Sequence, residues 1–188
     1  MNKNITNISD KFSKEGFRVI CPDIYRGKVA QNREQAGHLM GGLDFLGAVK
    51  DVLGAGLYLK SLGCKKVVIT GFCMGGALTL AASSMDKEGV FSAAVPFYGI
   101  PDQTYFPVEN IKIPVLAHFG EKDQAIGFSD VESAKKLESK ALSSGVQFTL
   151  KIWEGADHAF MNVDSPRYDQ CTSEKAFAET IEYCKKNL

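Results

Sequence analysis

The sequence has no excess of charge of either sign: Lys plus Arg and Asp plus Glu each number 22, so the formal net charge is zero. A basic surface able to neutralise phosphates is therefore not expected, and neither nucleic acid nor a membrane surface is an expected partner. Long apolar runs are missing too, since each hydrophobic stretch breaks well before the roughly 20 residues that span a bilayer. Residues 1–14 mix Asn, Lys, Ser and Asp with single isoleucines and lack the apolar centre of a secretory signal, so a cytoplasmic location is expected. Cysteine is present but unpatterned. The five, Cys21, Cys64, Cys73, Cys171 and Cys184, are odd in number and contain no C-x-x-C pair, which argues against a disulfide framework and a zinc ribbon. Four of them read as small apolar residues of a core. Cys73 stands apart.

What is present is an ordinary globular composition, 45% apolar and 23% charged over 188 residues, enough for one domain covering residues 1–188. Runs rich in β-branched and aromatic residues at 17–21, 66–70, 91–97, 115–119 and 146–152 predict buried strands. Between them, helical spacing predicts helices over 43–62, 74–85, 129–144 (capped by Ser129 or Asp130) and 172–187. No repeat or low-complexity linker interrupts the pattern. Alternating strands and helices imply an α/β fold with a mostly parallel sheet and helices on both faces.

Directly after the run Val67-Val68-Ile69-Thr70 stands Gly71-Phe72-Cys73-Met74-Gly75-Gly76-Ala77, followed by a predicted helix. Strand, tight turn and helix form the setting of the nucleophile elbow G-x-S-x-G, here with cysteine in the serine position. Side chains at Gly71 or Gly75 are expected to collide with the neighbouring strand and helix. The helix start favours a thiolate and then an oxyanion, which makes the Met74 N–H a candidate oxyanion donor. Glycine-rich strand-to-helix turns also occur in flavodoxin-like and dinucleotide-binding folds that do no covalent chemistry, although the G-x-G-x-x-G spacing of the latter is absent.

A thiol nucleophile needs a base, and the base an orienting acceptor. Asp123 follows the predicted strand 115–119 and His158 follows the next, 146–152, so both fall in loops at the carboxyl ends of parallel strands, as Cys73 does. The chain order nucleophile, acid, histidine is that of the α/β-hydrolases. Competitors exist for both partners: Glu121 and Asp157 for Asp123, His38 and His118 for His158. His118 is expected to pack near the site, and His38 has no elbow-like context.

With these residues in view, the sequence resembles the dienelactone hydrolase (carboxymethylenebutenolidase) family. The matching pieces are residues 15–27 (Glu15 to Gly27), the cysteine elbow, Phe97-Tyr98-Gly99, residues 118–123 and Ala156-Asp157-His158-Ala159-Phe160. The resemblance implies an α/β-hydrolase fold and hydrolysis of a small ester or lactone without metal or organic cofactor. Cys73, His158 and Asp123 would act as a triad through an acyl-thioester. Phe72, Tyr98 and Phe160 are candidates to line the substrate pocket. Arg33 resembles one of two arginines that hold a substrate carboxylate in the family. The other has no counterpart shortly after His158, where Met161-Asn162 stand and the next arginine is Arg167.

The resemblance also begins late. Family members carry several dozen further residues before the segment matching 8–16, including a strand between those matching 17–21 and 66–70. The loop after that strand supplies a second oxyanion N–H and a glutamate. The expected form is thus N-terminally truncated. Three outcomes are open: the sheet closes with those two strands as neighbours, another chain fills the gap, or the chain is a shortened form. An unpaired strand edge is expected to drive homo-oligomer formation, and a missing oxyanion donor to weaken activity. The alternative functions are a weak or inactive hydrolase-fold protein that binds a partner or small molecule, and a flavodoxin-like module.

Overall fold

The computed structural model describes residues 3–188; the Arg33 side chain lies outside that description. Four strands, β1 (Val68–Phe72), β2 (Ala93–Phe97), β3 (Val115–Gly120) and β4 (Phe148–Trp153), form one parallel sheet in the order β1-β2-β3-β4. Every position of β2 and β3 is buried. Such strands are covered on both faces, which is why their sequences run continuously apolar rather than alternating.

Among the described residues six α-helices accompany the sheet: α1 (Lys3–Lys14), α2 (Arg33–Gly41), α3 (Phe45–Ser61), α4 (Met74–Met85), α5 (Val131–Ser143) and α6 (Gln170–Asn187). The starts of α3, α5 and α6 are set by side-chain caps. Asp44 accepts from the Gly47 N–H at 2.9 Å, Asp130 from Ser133 at 3.1 Å and Asp169 from Thr172 at 2.8 Å, each bond satisfying an otherwise orphaned donor. Asp130, not Ser129, therefore caps α5, and the Ser129 hydroxyl is left for another use.

Helix α4 lies on β1 and β2 beneath α3, which explains its unbroken buried run from Gly76 to Ser84. Helix α5 covers β3 and β4. Side chains alternate across a strand, so His118, which meets Thr180 of α6, points to the face opposite that of Ala117 and Phe119. Helix α1 was not expected. Its Ile8 and Phe12 pack on Ile181 and Cys184 of α6, and each such burial contributes about 1.5–3 kcal/mol. The signal was the Ile5, Ile8, Phe12 spacing along one helical stripe.

The expectation of a buried strand at 17–21 is not met. Residues 17–23 are irregular, and Val19 and Ile20 are 36% and 38% exposed. A strand requires a hydrogen-bonding neighbour, and among the described residues β1 pairs with β2 alone. The Val67 carbonyl and Cys73 N–H face β2. By the parallel ladder's alternation the N–H and C=O groups of Val68, Thr70 and Phe72 therefore face the other way. There a cavity of about 1480 Å³ separates β1 from residues 17–23. The two segments do not close up as neighbours.

Candidate active site

The three loops that leave β1, β3 and β4 at their carboxyl ends converge on one edge of the sheet. Cys73 stands between β1 and α4 with φ 56° and ψ −116°. A non-glycine residue in such a conformation costs about 1–3 kcal/mol and persists only where its surroundings fix it. Here its N–H donates to the Phe97 carbonyl at 3.1 Å and its carbonyl accepts from Ala77 at 3.0 Å. Tyr98 after β2 (φ 34°) and Ala159 beside His158 (φ 61°) share this rare geometry. Among the described residues, three of the four non-glycine residues with positive φ thus belong to this site, the fourth being Arg26.

The glycines of the elbow divide differently from expectation. A Cβ at Gly71 would run into the Gly75 carbonyl and one at Gly76 into the Phe97 carbonyl, whereas one at Gly75 meets open space. The close approach of α4 to β1 and β2 rests on Gly71 and Gly76. The collision expected at Gly75 does not occur, because that residue faces the cavity it helps to line.

The side chains of Cys73, His158 and Asp123 meet. His158 Nε2 lies 3.2 Å from Cys73 Sγ, and His158 Nδ1 lies 2.7 Å from Asp123 Oδ2. The His158 side chain is 17% exposed and that of Asp123 1%. Burial pulls the imidazolium down, but hydrogen bonds to Asp123 and Cys73 and their charges outweigh it, so His158 is pushed up to about 9. Burial likewise raises Asp123, and bonds from His158, the Ala125 N–H and Ser129 reverse that, holding the carboxyl below its usual range. Tyr98 packs against the imidazole with ring centroids 5.0 Å apart, and Phe128 does so from 6.3 Å.

The competitors are placed elsewhere. Glu121 accepts from the Gly155 N–H and Asp157 from the His158 N–H. His38 is an exposed residue of α2, 3.9 Å from Glu34. His118 is fully buried, stacked between Phe97 and Trp153, with Nδ1 accepting from the Trp153 indole at 3.1 Å.

Of the pocket candidates, Tyr98 and Phe160 are 1% and 0% exposed and offer a substrate no surface. They are the packing behind His158. The Phe72 ring packs at a tilt against Phe97 with centroids 4.8 Å apart, and Phe72 lines the cavity with Met74 and Gly75. Arg33 opens α2, but its side chain lies outside the described set. Arg167 stands 3.8 Å from Asp157. The cavity reaches Met74, Gly75, Asn162 and Tyr25, while Cys73 and His158 lie just beyond its lining. Two residues escaped the sequence reading in this role. Ser129 Oγ is 3.1 Å from His158 Nδ1. Tyr25 is half-buried beside Cys73, and burial together with the sulfur's charge raises its phenol. A lone serine in a loop carries no signal of its own.

The dienelactone hydrolase family model matches residues 1–188. The chain belongs to the dienelactone hydrolase family. Protein usf of Aquifex pyrophilus is 35% identical over 98% of this chain and 81% of its own length. Carboxymethylenebutenolidase 1 of Cupriavidus pinatubonensis is 27% identical over 89% of this chain and 73% of its own. A crystal structure of a dienelactone hydrolase-like promiscuous phosphotriesterase from metagenomic libraries superposes with a TM-score of 0.80 at 18% identity, covering 99% of this chain and 81% of that one. That likeness shows the α/β-hydrolase fold.

In this dienelactone hydrolase family member the buried His118 makes stability sensitive to acid. Burial, followed by the Lys151 charge, lowers its ionisation from 6.5 to about 3. A depressed histidine stabilises the fold above its unfolded value, and this contribution is lost as pH falls from about 6.5 towards 3. Urea titrations at pH 7 and pH 4 are expected to show a smaller drop in unfolding free energy for His118→Phe than for the wild type. At pH 7 the variant is expected to lose about 1 kcal/mol through the orphaned Trp153 N–H. Equal drops in the two proteins would refute the assignment.

Proposed function

We propose that this hydrolase cleaves a small carboxylic ester or lactone through Cys73, His158 and Asp123. The observation that carries the reading is the pair of contacts on one imidazole, Nε2 to sulfur at 3.2 Å and Nδ1 to a buried carboxylate at 2.7 Å. In this reading His158 Nε2 holds the proton taken from Cys73, and the sulfur adds to the carbonyl carbon. The resulting oxyanion is met by the Met74 N–H at the start of α4, where helix N–H groups lack internal partners. Collapse breaks the C–O bond, and His158 returns its proton to the leaving alkoxide. Water then attacks the thioester with His158 as base, releasing the carboxylic acid and restoring the thiol.

Phe72 and the neighbouring cavity give room for an apolar part of the substrate, and Arg33 is the proposed contact for an anionic one. The Met74 N–H is the proposed oxyanion donor, and loss of one such donor costs about 2.7–4 kcal/mol of transition-state stabilisation. A cytoplasmic location is part of this proposal; among the described residues no helix is long and apolar enough to cross a membrane.

Mass spectrometry after rapid quenching with p-nitrophenyl acetate tests the proposal. One acetyl group is expected on the peptide containing Cys73, and acetyl found only on lysines would overturn it.

The outer edge of β1 supports the further reading that copies of the chain associate there. Sedimentation at micromolar concentration is expected to show species larger than a monomer. A clean monomer would sink that idea while leaving the chemistry untouched.

A further inference from the structure

Asp123 and His158 have a third partner. Ser129 is fully buried, and its hydroxyl plays no part in capping α5, a task that Asp130 performs. Its oxygen lies 3.1 Å from His158 Nδ1, the same nitrogen that Asp123 Oδ2 meets at 2.7 Å, so hydroxyl and carboxylate share one ring nitrogen, and the hydroxyl helps to hold the carboxyl low.

The loop that carries it is pinned at both ends. Ser129 N–H donates to the Ala125 carbonyl at 2.9 Å, the Phe128 carbonyl accepts from Ile100 at 2.8 Å, and the Ala125 N–H donates to Asp123 Oδ1 at 3.1 Å. The hydroxyl is thus held where it can serve both triad partners.

A hydroxyl has one hydrogen and two lone pairs. If the hydrogen goes to the Asp123 carboxylate, a lone pair is left facing Nδ1, and the imidazole must present Nδ1–H. The opposite tautomer would set the unprotonated Nδ1 against a carboxylate oxygen 2.7 Å away, which is repulsive. Resting on the triad reading above, we infer that Ser129 is a positioning residue: it orients the Asp123 carboxylate and fixes His158 in the tautomer with hydrogen on Nδ1, aiming Nε2 at the Cys73 sulfur.

A carboxylate whose side chain is 1% exposed depends on its donors to remain ionised. The titratable groups facing Asp123 are His158, Cys73 beyond it, and Tyr98 from the end of β2. None of these replaces a donor removed at position 129.

Ser129→Ala tests the inference with p-nitrophenyl acetate as the probe. A hydrogen bond to a charged group corresponds to about a ten- to hundredfold change, so kcat is expected to fall by that factor with KM little changed. The acid limb of the pH profile is expected to move upwards, because Asp123 protonates more readily. Ser129→Thr, which keeps the hydroxyl, is expected to recover most of the rate and the original limb. Should either variant fail to fold by circular dichroism, Ser129→Cys, of similar volume with a weaker donor, is expected to fall between wild type and total loss.

An unchanged kcat and acid limb in the alanine variant would overturn the role. So would a fall in rate with the limb in place and no recovery by a hydroxyl, since that marks packing alone. Loss of the triad reading itself is recognised separately, by turnover that persists in Cys73→Ala.

Discussion

Cys73→Ala is expected to lower turnover of p-nitrophenyl acetate by a factor of about 10⁴ or more, the scale on which removal of a covalent nucleophile acts. The loss should appear in kcat, because cysteine makes and breaks a bond while the rest of the binding surface is unaltered. The fold is expected to survive. Cys73 is half-buried, its side chain makes no capping bond, and its backbone bonds to Phe97 and Ala77 do not depend on the sulfur. Alanine at φ 56° is as strained as cysteine, so stability should change by less than about 1 kcal/mol. Iodoacetamide is expected to reproduce the loss in the wild type and to do nothing further to the variant. Retained turnover in Cys73→Ala would end the thiol mechanism at once.

Asp123→Asn is expected to cost about 10⁴ in kcat, since an amide facing Nδ1 permits the wrong tautomer of the base. It is also expected to change the pH profile. In the wild type His158 is held at about 9 against the opposing effect of burial. With the carboxylate neutralised, burial prevails and the imidazolium is lost at lower pH, so the alkaline limb moves down from about 9. The same linkage acts on stability. A histidine raised in the folded state contributes stability that is fully present below its unfolded value of about 6.5 and disappears as pH rises through 9. The Asp123 carboxyl, lowered in the folded state, contributes stability present above its unfolded value and lost as pH falls through the folded one. Denaturant titrations between pH 7 and pH 10 are expected to slope less steeply for the asparagine variant. An unaltered alkaline limb would show that Asp123 is not the partner that sets the proton on His158.

The contrast among the three histidines shows how burial and partners assign different work to one side chain. His118 is buried with a neutral donor, the Trp153 indole, and a nearby Lys151 charge, so its neutral form is favoured. His158 is only partly buried, and its two partners stabilise the charged form. His38 is exposed on α2. Residue type alone makes all three equal candidates.

The amino-acid sequence by itself determined the four paired strands, the four principal helices and the parallel α/β architecture. Those elements follow from local patterns: apolar runs of strand length, helical spacing, and a capping residue ahead of α5. The elbow was legible for the same reason, since strand, glycine turn and helix are contiguous. The positions of Asp123 and His158 followed from their places just beyond the carboxyl ends of strands.

Tertiary structure decided the rest, where the outcome depends on a neighbour remote in the chain. Residues 17–21 have the composition of a strand, but hydrogen bonds make a strand and no described segment offers them there. Gly71 and Gly75 look alike in the motif, yet only Gly71 faces a carbonyl at close range. Tyr98 and Phe160 suit a pocket by type and became packing behind His158, because β2 and the loop after β4 turn them inward. Ser129 carries no sequence signal, since its importance comes from His158, brought within 3.1 Å of its hydroxyl where the loops after β3 and β4 converge. Local propensity acts along the chain, whereas a site is built from contacts across it.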